Sequence, residues 1–231
     1  MAVISQVGCS RLEGARRIDA EYYQPYFLGL METQDKCVAI KRPLVRLCSK
    51  IDVGFVGPMA HAYADNGIPL LQTQNVKEFV LSFDRVIYIQ EWFHHFLAKS
   101  QVFKGDILIA RSGSIGNAAL VLDYDPQPLN SSDIIIIRPN GINAAYLCAY
   151  LNCKFGQAQI KRFSSGGLQG HINLGSLENL QVPILSSNFI LPIEKKVLEF
   201  HYYQLHKILI TKPNNFYFPN LACRIGNPPA R

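Results

Sequence analysis

Short β-branched or aliphatic runs, bounded by Gly, Pro, Asn or Asp, dominate the middle of the chain. They lie at Ile68–Gln74, Arg85–Ile89, Asp106–Ala110, Ala118–Leu122 and Asp133–Arg138, and each predicts a strand. Helical spacing brackets them. Ile18–Met31 reads as a helix with Asp19 as its cap, and Pro25 either suits its first turn or divides it in two. Glu91–Ser100 predicts a short helix, Ile142–Asn152 a longer one, and Phe155–Phe163 continues it after a break near Lys154. Pro192–Ile210 predicts a last helix, opened by proline and ended by Lys212 and Pro213. Its apolar positions include Ile193, Val197, Phe200, Leu205, Ile208 and Leu209. Leu44–Leu47 resembles a short strand, and Leu180–Ile184 an edge strand, because Pro183 cannot donate to a central ladder. Pro58–Gly67 and Ser164–Gly170 read as loops, and Asn214–Arg231, without a period, as an irregular tail. Strands and helices in this mixed order argue for α+β rather than a regular βαβ alternation.

Composition narrows the class. The chain has 231 residues, 48% apolar and 17% charged, against a usual charged share of about 25%. Such a chain buries about 70% or more of its unfolded surface, so a core forms without disulfides or metal. The six cysteines form no C-x-x-C pair, which points to reduced, mostly buried thiols. The N-terminus lacks a basic export region, and the apolar runs fall short of the roughly 20 residues that cross a bilayer. A cytoplasmic protein without a membrane partner is expected.

The net charge of +6 is modest, but its distribution is uneven. No carboxylate occurs from Ile134 to Leu177, where Arg138, Lys154, Lys161 and Arg162 fall. A second acid-free run, Phe200–Arg231, carries Lys207, Lys212, Arg224 and Arg231. Either these basic groups bind a polyanion without competition from neighbouring acids, or they form a solvated face.

Enzymatic motifs fail one by one. Arg111–Gly116 comes after a strand, yet it matches neither the P-loop nor G-x-G-x-x-G, and the residues after Gly116 read as strand. A turn presenting Arg111, Ser112 and Ser114 at a strand end is the better account. His94 and His95 point about 100° apart on a helix and lack the facial partners of a metal site. Trp92, Phe93 and Phe96 beside them read as core packing with a surface imidazole. Asn227–Ala230 is similar to the Asn-Pro-Pro-aromatic turn of amino-methyltransferases but lacks the aromatic. No G-x-S-x-G elbow or metal-nuclease pattern exists, and Asp106 reads as a turn residue opening a strand. No catalytic set, cofactor site or metal site is expected.

One resemblance spans about residues 15 to 210. Lys104–Val121 closely resembles the target-recognition domain of type I restriction–modification specificity subunits. Arg17–Tyr26 resembles the opening of that domain, Asn66–Val76 its first strand and loop, and Leu147–Asn173 its helix and closing loop. The resemblance implies an α+β fold: a mixed, strongly twisted β-sheet recognition domain over residues 1–190, with flanking helices. One short C-terminal helix at 191–211 and an irregular tail at 212–231 would come after it. It also implies a function without chemistry. Such a domain reads half of a bipartite double-stranded DNA target and positions a DNA adenine methyltransferase subunit there, often with a translocating restriction subunit. Phosphate contacts need cations, which Arg111, Lys154, Lys161 and Arg162 offer. Base edges are read by amides, hydroxyls and guanidinium groups. The matching loops hold Gln72, Gln74, Asn75, Lys77, Arg111, Ser112, Ser114, Ser164, Ser165, Gln169 and His171.

A complete specificity subunit has two such domains joined by long paired helices, whereas this sequence shows one domain and one helix. It resembles a half subunit, reading a split site as a weak or partner-dependent homodimer, or a truncated fragment. Two other readings stay open: a nucleotide-binding enzyme built on Arg111–Gly116, and a degenerate protein-interaction module. The missing Walker lysine argues against the first.

Overall fold

A computed structural model describes residues 4–9, 12, 20–164 and 171–211, the side chains of 208–211 apart. The predicted tail, Ser165 and Gln169 lie outside the described residues. In chain order the elements begin α1 (Pro25–Asp35), β1 (Lys41–Pro43), β2 (Cys48–Val53), β3 (Tyr63–Ala64), β4 (Ile68–Leu71), β5 (Ile87–Ile89) and α2 (Glu91–Phe96). They continue with β6 (Gln101–Val102), β7 (Ile107–Ala110), β8 (Ala118–Leu120), β9 (Leu129–Ser131) and β10 (Ile134–Pro139). The last are α3 (Ala144–Asn152), α4 (Lys154–Ser164), α5 (Leu174–Glu178), β11 (Gln181–Pro183) and α6 (Ser187–Thr211).

The fold is α+β, as the order of elements predicts, but its strands divide into three sheets. A four-stranded antiparallel sheet runs β2-β10-β7-β8, and a five-stranded mixed sheet runs β3-β5-β4-β9-β6 with β4 and β9 parallel. β1 and β11 form a separate ribbon, so Pro183 stands on an edge strand. β10 is the centre of the molecule. Its Ile135 and Ile137 enter one core with Leu147, Leu151 and Val182, while Ile134 and Ile136 enter a second with Leu71, Val76 and Leu129. A strand covered on both faces needs a continuous apolar run, which explains four successive isoleucines.

Several segments depart from the sequence expectations for identifiable reasons. Leu44–Leu47 is a 3₁₀ turn, not a strand. Leu44 and Leu47, three residues apart, are both buried, which suits a period of three and not of two. Among the described residues the expected first helix begins at Pro25, whose missing N–H costs nothing at the first helical position, and its expected cap, Asp19, lies outside them. Pro58–Gly67 is not all loop, since it holds a 3₁₀ turn at Ala60–Ala62 and β3. Glu91–Ser100 divides into α2 and a 3₁₀ turn at Ala98–Ser100. The last helix begins at Ser187 and carries Pro192 inside it. Val197, His201 and Leu205, four residues apart, are buried on its inner side, and Phe200 meets Phe79 with ring centroids 5.6 Å apart. The thiols are less sheltered than expected: of the described cysteines only Cys148 is buried, and Cys9 and Cys37 are exposed. No helix among the described residues is long and apolar enough to cross a membrane.

Candidate nucleic-acid interface

Three sequence motifs meet at one end of the four-stranded sheet. The first is a 3₁₀ turn, Thr73–Asn75, just after β4. The second is the Arg111–Gly116 turn joining antiparallel β7 and β8. The third is α4. Two contacts tie them: Thr73 Oγ1 lies 3.3 Å from Ser112 Oγ, and Gln157 Nε2 donates to the Gly116 carbonyl at 2.8 Å. Gly116 has φ of +90°, and a Cβ there would sit 3.0 Å from Gln157 and Ile160, so only glycine lets the turn close on α4. Because this turn leads into a strand and does not itself open a helix, the P-loop alternative, in which the loop runs straight into a helix N-terminus, loses its geometry.

Exposed polar groups crown this end. Gln74, Lys77 and Ser114 are exposed, Gln72 and Ser112 half-buried. Lys161 is exposed one turn beyond Gln157, hence on the same side of α4. Arg111 lies 3.1 Å from Asp133 Oδ1, and its Nε, buried, has no partner. Asp133 holds φ of +53°, a left-handed conformation that Asp tolerates better than most residues. Its carbonyl accepts from Thr73 Oγ1 at 3.3 Å, which links the guanidinium's partner to the first turn.

Other expected site residues are placed differently. Asn75 is buried: its Nδ2 donates to the Ser82 carbonyl at 2.8 Å, and its Oδ1 accepts from the Gln72 N–H at 2.9 Å. That amide is spent on the turn and cannot read a base edge. Arg162 is likewise committed, its Nε donating to the Tyr22 carbonyl at 2.9 Å with the guanidinium 3.8 Å from the Tyr22 ring centroid. Ser164 donates to the Lys161 carbonyl at 2.9 Å, and His171 is exposed on the segment before α5. Lys154 is exposed at the start of α4. The acid-free stretch is therefore not one patch, because Arg138 sits at the opposite end of β10, bound to Asp106.

The expected surface imidazole is that of one histidine and not of both. His94 is the buried one, 3.2 Å from Asn130 Nδ2, and burial lowers its pKa. His95 is exposed, 3.8 Å from Glu91 Oε1. Trp92 and Phe96, expected in the core, are exposed, and only Phe93 is buried. Sequence reasoning also passed over Thr73, Asp133 and Gln157, which join the motifs. Their signal was position alone, each lying in or beside a motif already singled out.

Comparison with known proteins gives a concordant result. The family model described as the type I restriction modification DNA specificity domain matches residues 63–188. Three solved structures are similar in fold. One, from a study of complex assembly and conformational transition of the type I R-M system, has a TM-score of 0.55 at 16% identity, covering 84% of this chain and 48% of that one. The S subunit of a type I restriction–modification system from M. genitalium has a TM-score of 0.52 at 14% identity, over 77% of this chain and 43% of its own. The HsdS subunit from Thermoanaerobacter tengcongensis has a TM-score of 0.52 at 16% identity, over 84% and 47%. The chain thus spans about half the length of these proteins. No curated protein matches it in sequence.

Proposed function

Since the chain belongs to the type I restriction–modification DNA specificity domain family, we propose that it reads one half of a bipartite double-stranded DNA target. It does so through the end where the Thr73–Asn75 turn, the Arg111–Gly116 turn and α4 converge. The observation that carries this reading is the pair of contacts, Thr73 to Ser112 and Gln157 to Gly116, that gathers loops from distant parts of the chain. Phosphates would be met by Lys154, Lys161 and Lys77, and base edges by Gln72, Gln74, Arg111, Ser112 and Ser114. Arg is suited to guanine and the amides to adenine.

The family's role is specificity and not catalysis. The chemistry would then belong to a separate adenine methyltransferase subunit, and to a restriction and translocase subunit where one is present, in the cytoplasm. Reading both halves of a split target requires a second domain, from another copy or another subunit. The outer side of α6, where Leu191 and Leu198 are exposed seven residues apart, offers a surface for a weak contact of that kind.

Selection of bound sequences from a randomised duplex pool tests the reading, and a recurrent half-site is the expected product. Affinity for the selected duplex falls with salt, by a log–log slope of about −0.9 per phosphate neutralised. Lys161→Ala makes that slope shallower by about one unit while the selected sequence stays the same. No enrichment, together with a slope that Lys161→Ala leaves unmoved, would overturn the assignment.

A further inference from the structure

Trp92 and Phe96 lie one helical turn apart on α2 and expose 52% and 72% of their surfaces. Large rings left in water contribute little to folding, so their exposure calls for another explanation. The rings are not loose. Phe93 stacks on Phe96 with centroids 5.9 Å apart and planes 16° apart, and Trp92 meets Phe93 edge-on at 5.3 Å. Phe55 and His61 meet Phe93 edge-on at 5.8 and 5.5 Å, and Trp92 Nε1 donates to Gln90 Oε1 at 2.6 Å. Phe96 is thus presented by a rigid aromatic cluster.

Beside this platform lies an open cleft of about 470 Å³, within the roughly 300–1,000 Å³ range of small-ligand sites. Phe55, Val56 and Phe96 supply apolar lining, and Asp52, Lys99 and Arg111 the polar lining. Arg111 therefore belongs both to the recognition end and to the cleft, which makes the two continuous. Its side chain is 29% exposed, with one guanidinium nitrogen on Asp133, and its Nε is buried without a partner among the described residues. Lys99 is bound to Asp52 at 3.1 Å but is 74% exposed, and such a pair exchanges partners at small cost.

An aromatic face next to two cations is the chemistry that recognises a planar base carrying a phosphate. We infer that the cleft takes one unstacked nucleotide of the bound DNA, its base against Phe96 and its phosphate on Lys99, at the rim that Arg111 shares with the recognition end. The inference rests on the DNA-specificity reading above. Stacking on an aromatic side chain strengthens binding by about one to two powers of ten per base, and unstacking costs least where the base is unpaired or mispaired.

The test uses the full chain with the selected duplex, fully paired or with a single bulged adenine at successive positions. Trp92, the sole tryptophan, supplies an intrinsic signal. At one position the bulged duplex is expected to bind about tenfold more tightly than the paired one and to quench Trp92 emission. Phe96→Ala, checked for an unchanged melting temperature, reduces that advantage below about twofold, whereas Lys161→Ala weakens both duplexes by the same factor. Binding with no favoured position and no change at Trp92 overturns the cleft assignment and leaves the specificity reading standing. Failure to bind either duplex overturns both. Equal quenching by free dAMP makes the cleft a mononucleotide site, and a Phe96→Ala protein that keeps the bulge preference but no longer holds a methyltransferase subunit makes it a protein contact. Either result also overturns the assignment.

Discussion

β7 and β10 pair in a register that places Ile107 opposite Ile137 and Ala110 opposite Ile134. Continued one residue beyond each end of the pairing, it sets Asp106 against Arg138 and Arg111 against Asp133. The two ends of one strand pair thus carry the same two charges in exchanged order. At the Asp106 end the carboxylate is wholly buried. It accepts from Arg138 Nε and Nη2, both at 2.8 Å, and from the Phe103 N–H at 2.9 Å. The Arg138 guanidinium also lies 4.7 Å from the Phe103 ring centroid. At the Asp133 end a single contact of 3.1 Å joins two partly exposed groups, and Arg111 keeps a donor unused. The function of an arginine is set by how many of its donors the fold has already engaged. Arg138 is spent on structure, and Arg111 is held in position with capacity left for a ligand.

The largest expected effect lies at the buried end. Asp106→Ala strands Arg138 and the Phe103 N–H, and is expected to cost about 3 kcal/mol of folding free energy in urea denaturation. Arg111→Ala is expected to cost less than about 1 kcal/mol of stability. Equal losses at the two ends would break the comparison. For DNA the order reverses. Arg111→Ala is expected to lose about 1–3 kcal/mol of discrimination between the selected site and a single-base variant, as measured in competition binding. Asp133→Asn keeps a residue that tolerates the left-handed backbone but removes the ion pair. It is expected to lower that discrimination by a smaller factor, since the freed guanidinium still reaches DNA.

Asp125 sharpens the contrast further, because it is a buried carboxylate that accepts from a backbone donor, the Leu122 N–H at 2.7 Å. Burial pushes its pKa up to about 7. Between the ordinary carboxylate value and about pH 7 the native state holds a proton that the unfolded chain has lost. Its contribution to stability therefore declines as pH rises through that window, by at most roughly 1.4 kcal/mol per pH unit, and is constant above it. His201 works in the opposite direction: burial depresses its pKa to about 4. The stability that depends on neutral His201 is present above its ordinary value near 6.5 and is lost as pH falls toward 4. The two slopes oppose each other between about pH 4 and 6.5. Asp125→Asn removes one of them, so denaturant midpoints measured across this range should then rise more steeply with pH than in the wild type. An unaltered pH profile would show that Asp125 is not protonated in the native state.

Much of this arrangement was legible in the chain. The apolar runs at β7, β8 and β10 and the helical spacing at α3 and α4 located those elements. The turn chemistry of Arg111–Gly116 marked the candidate site. Illegible were the side chains whose fate depends on distant partners. Asn75 and Gln74 are adjacent amides in one turn, yet Asn75 is buried with its Nδ2 donating to the Ser82 and Asp84 carbonyls while Gln74 is exposed. Lys161 and Arg162 are adjacent cations on one helix, yet only Arg162 meets the Tyr22 carbonyl and ring, 140 residues away in sequence.

By itself, then, the sequence determined where the long, strongly periodic strands and helices form, since periodicity is a local property of the chain, but not the short turns or the element ends. It also determined which residue types flank each strand, and the family to which the chain belongs. Only the tertiary structure decided which aspartate each arginine meets, because the register of β7 against β10 is a relation between segments more than twenty residues apart. It alone also decided that Trp92 and Phe96 face solvent while Phe93 is buried. An aromatic ring has the same hydrophobicity wherever it stands in the sequence, and what covers it is settled by packing.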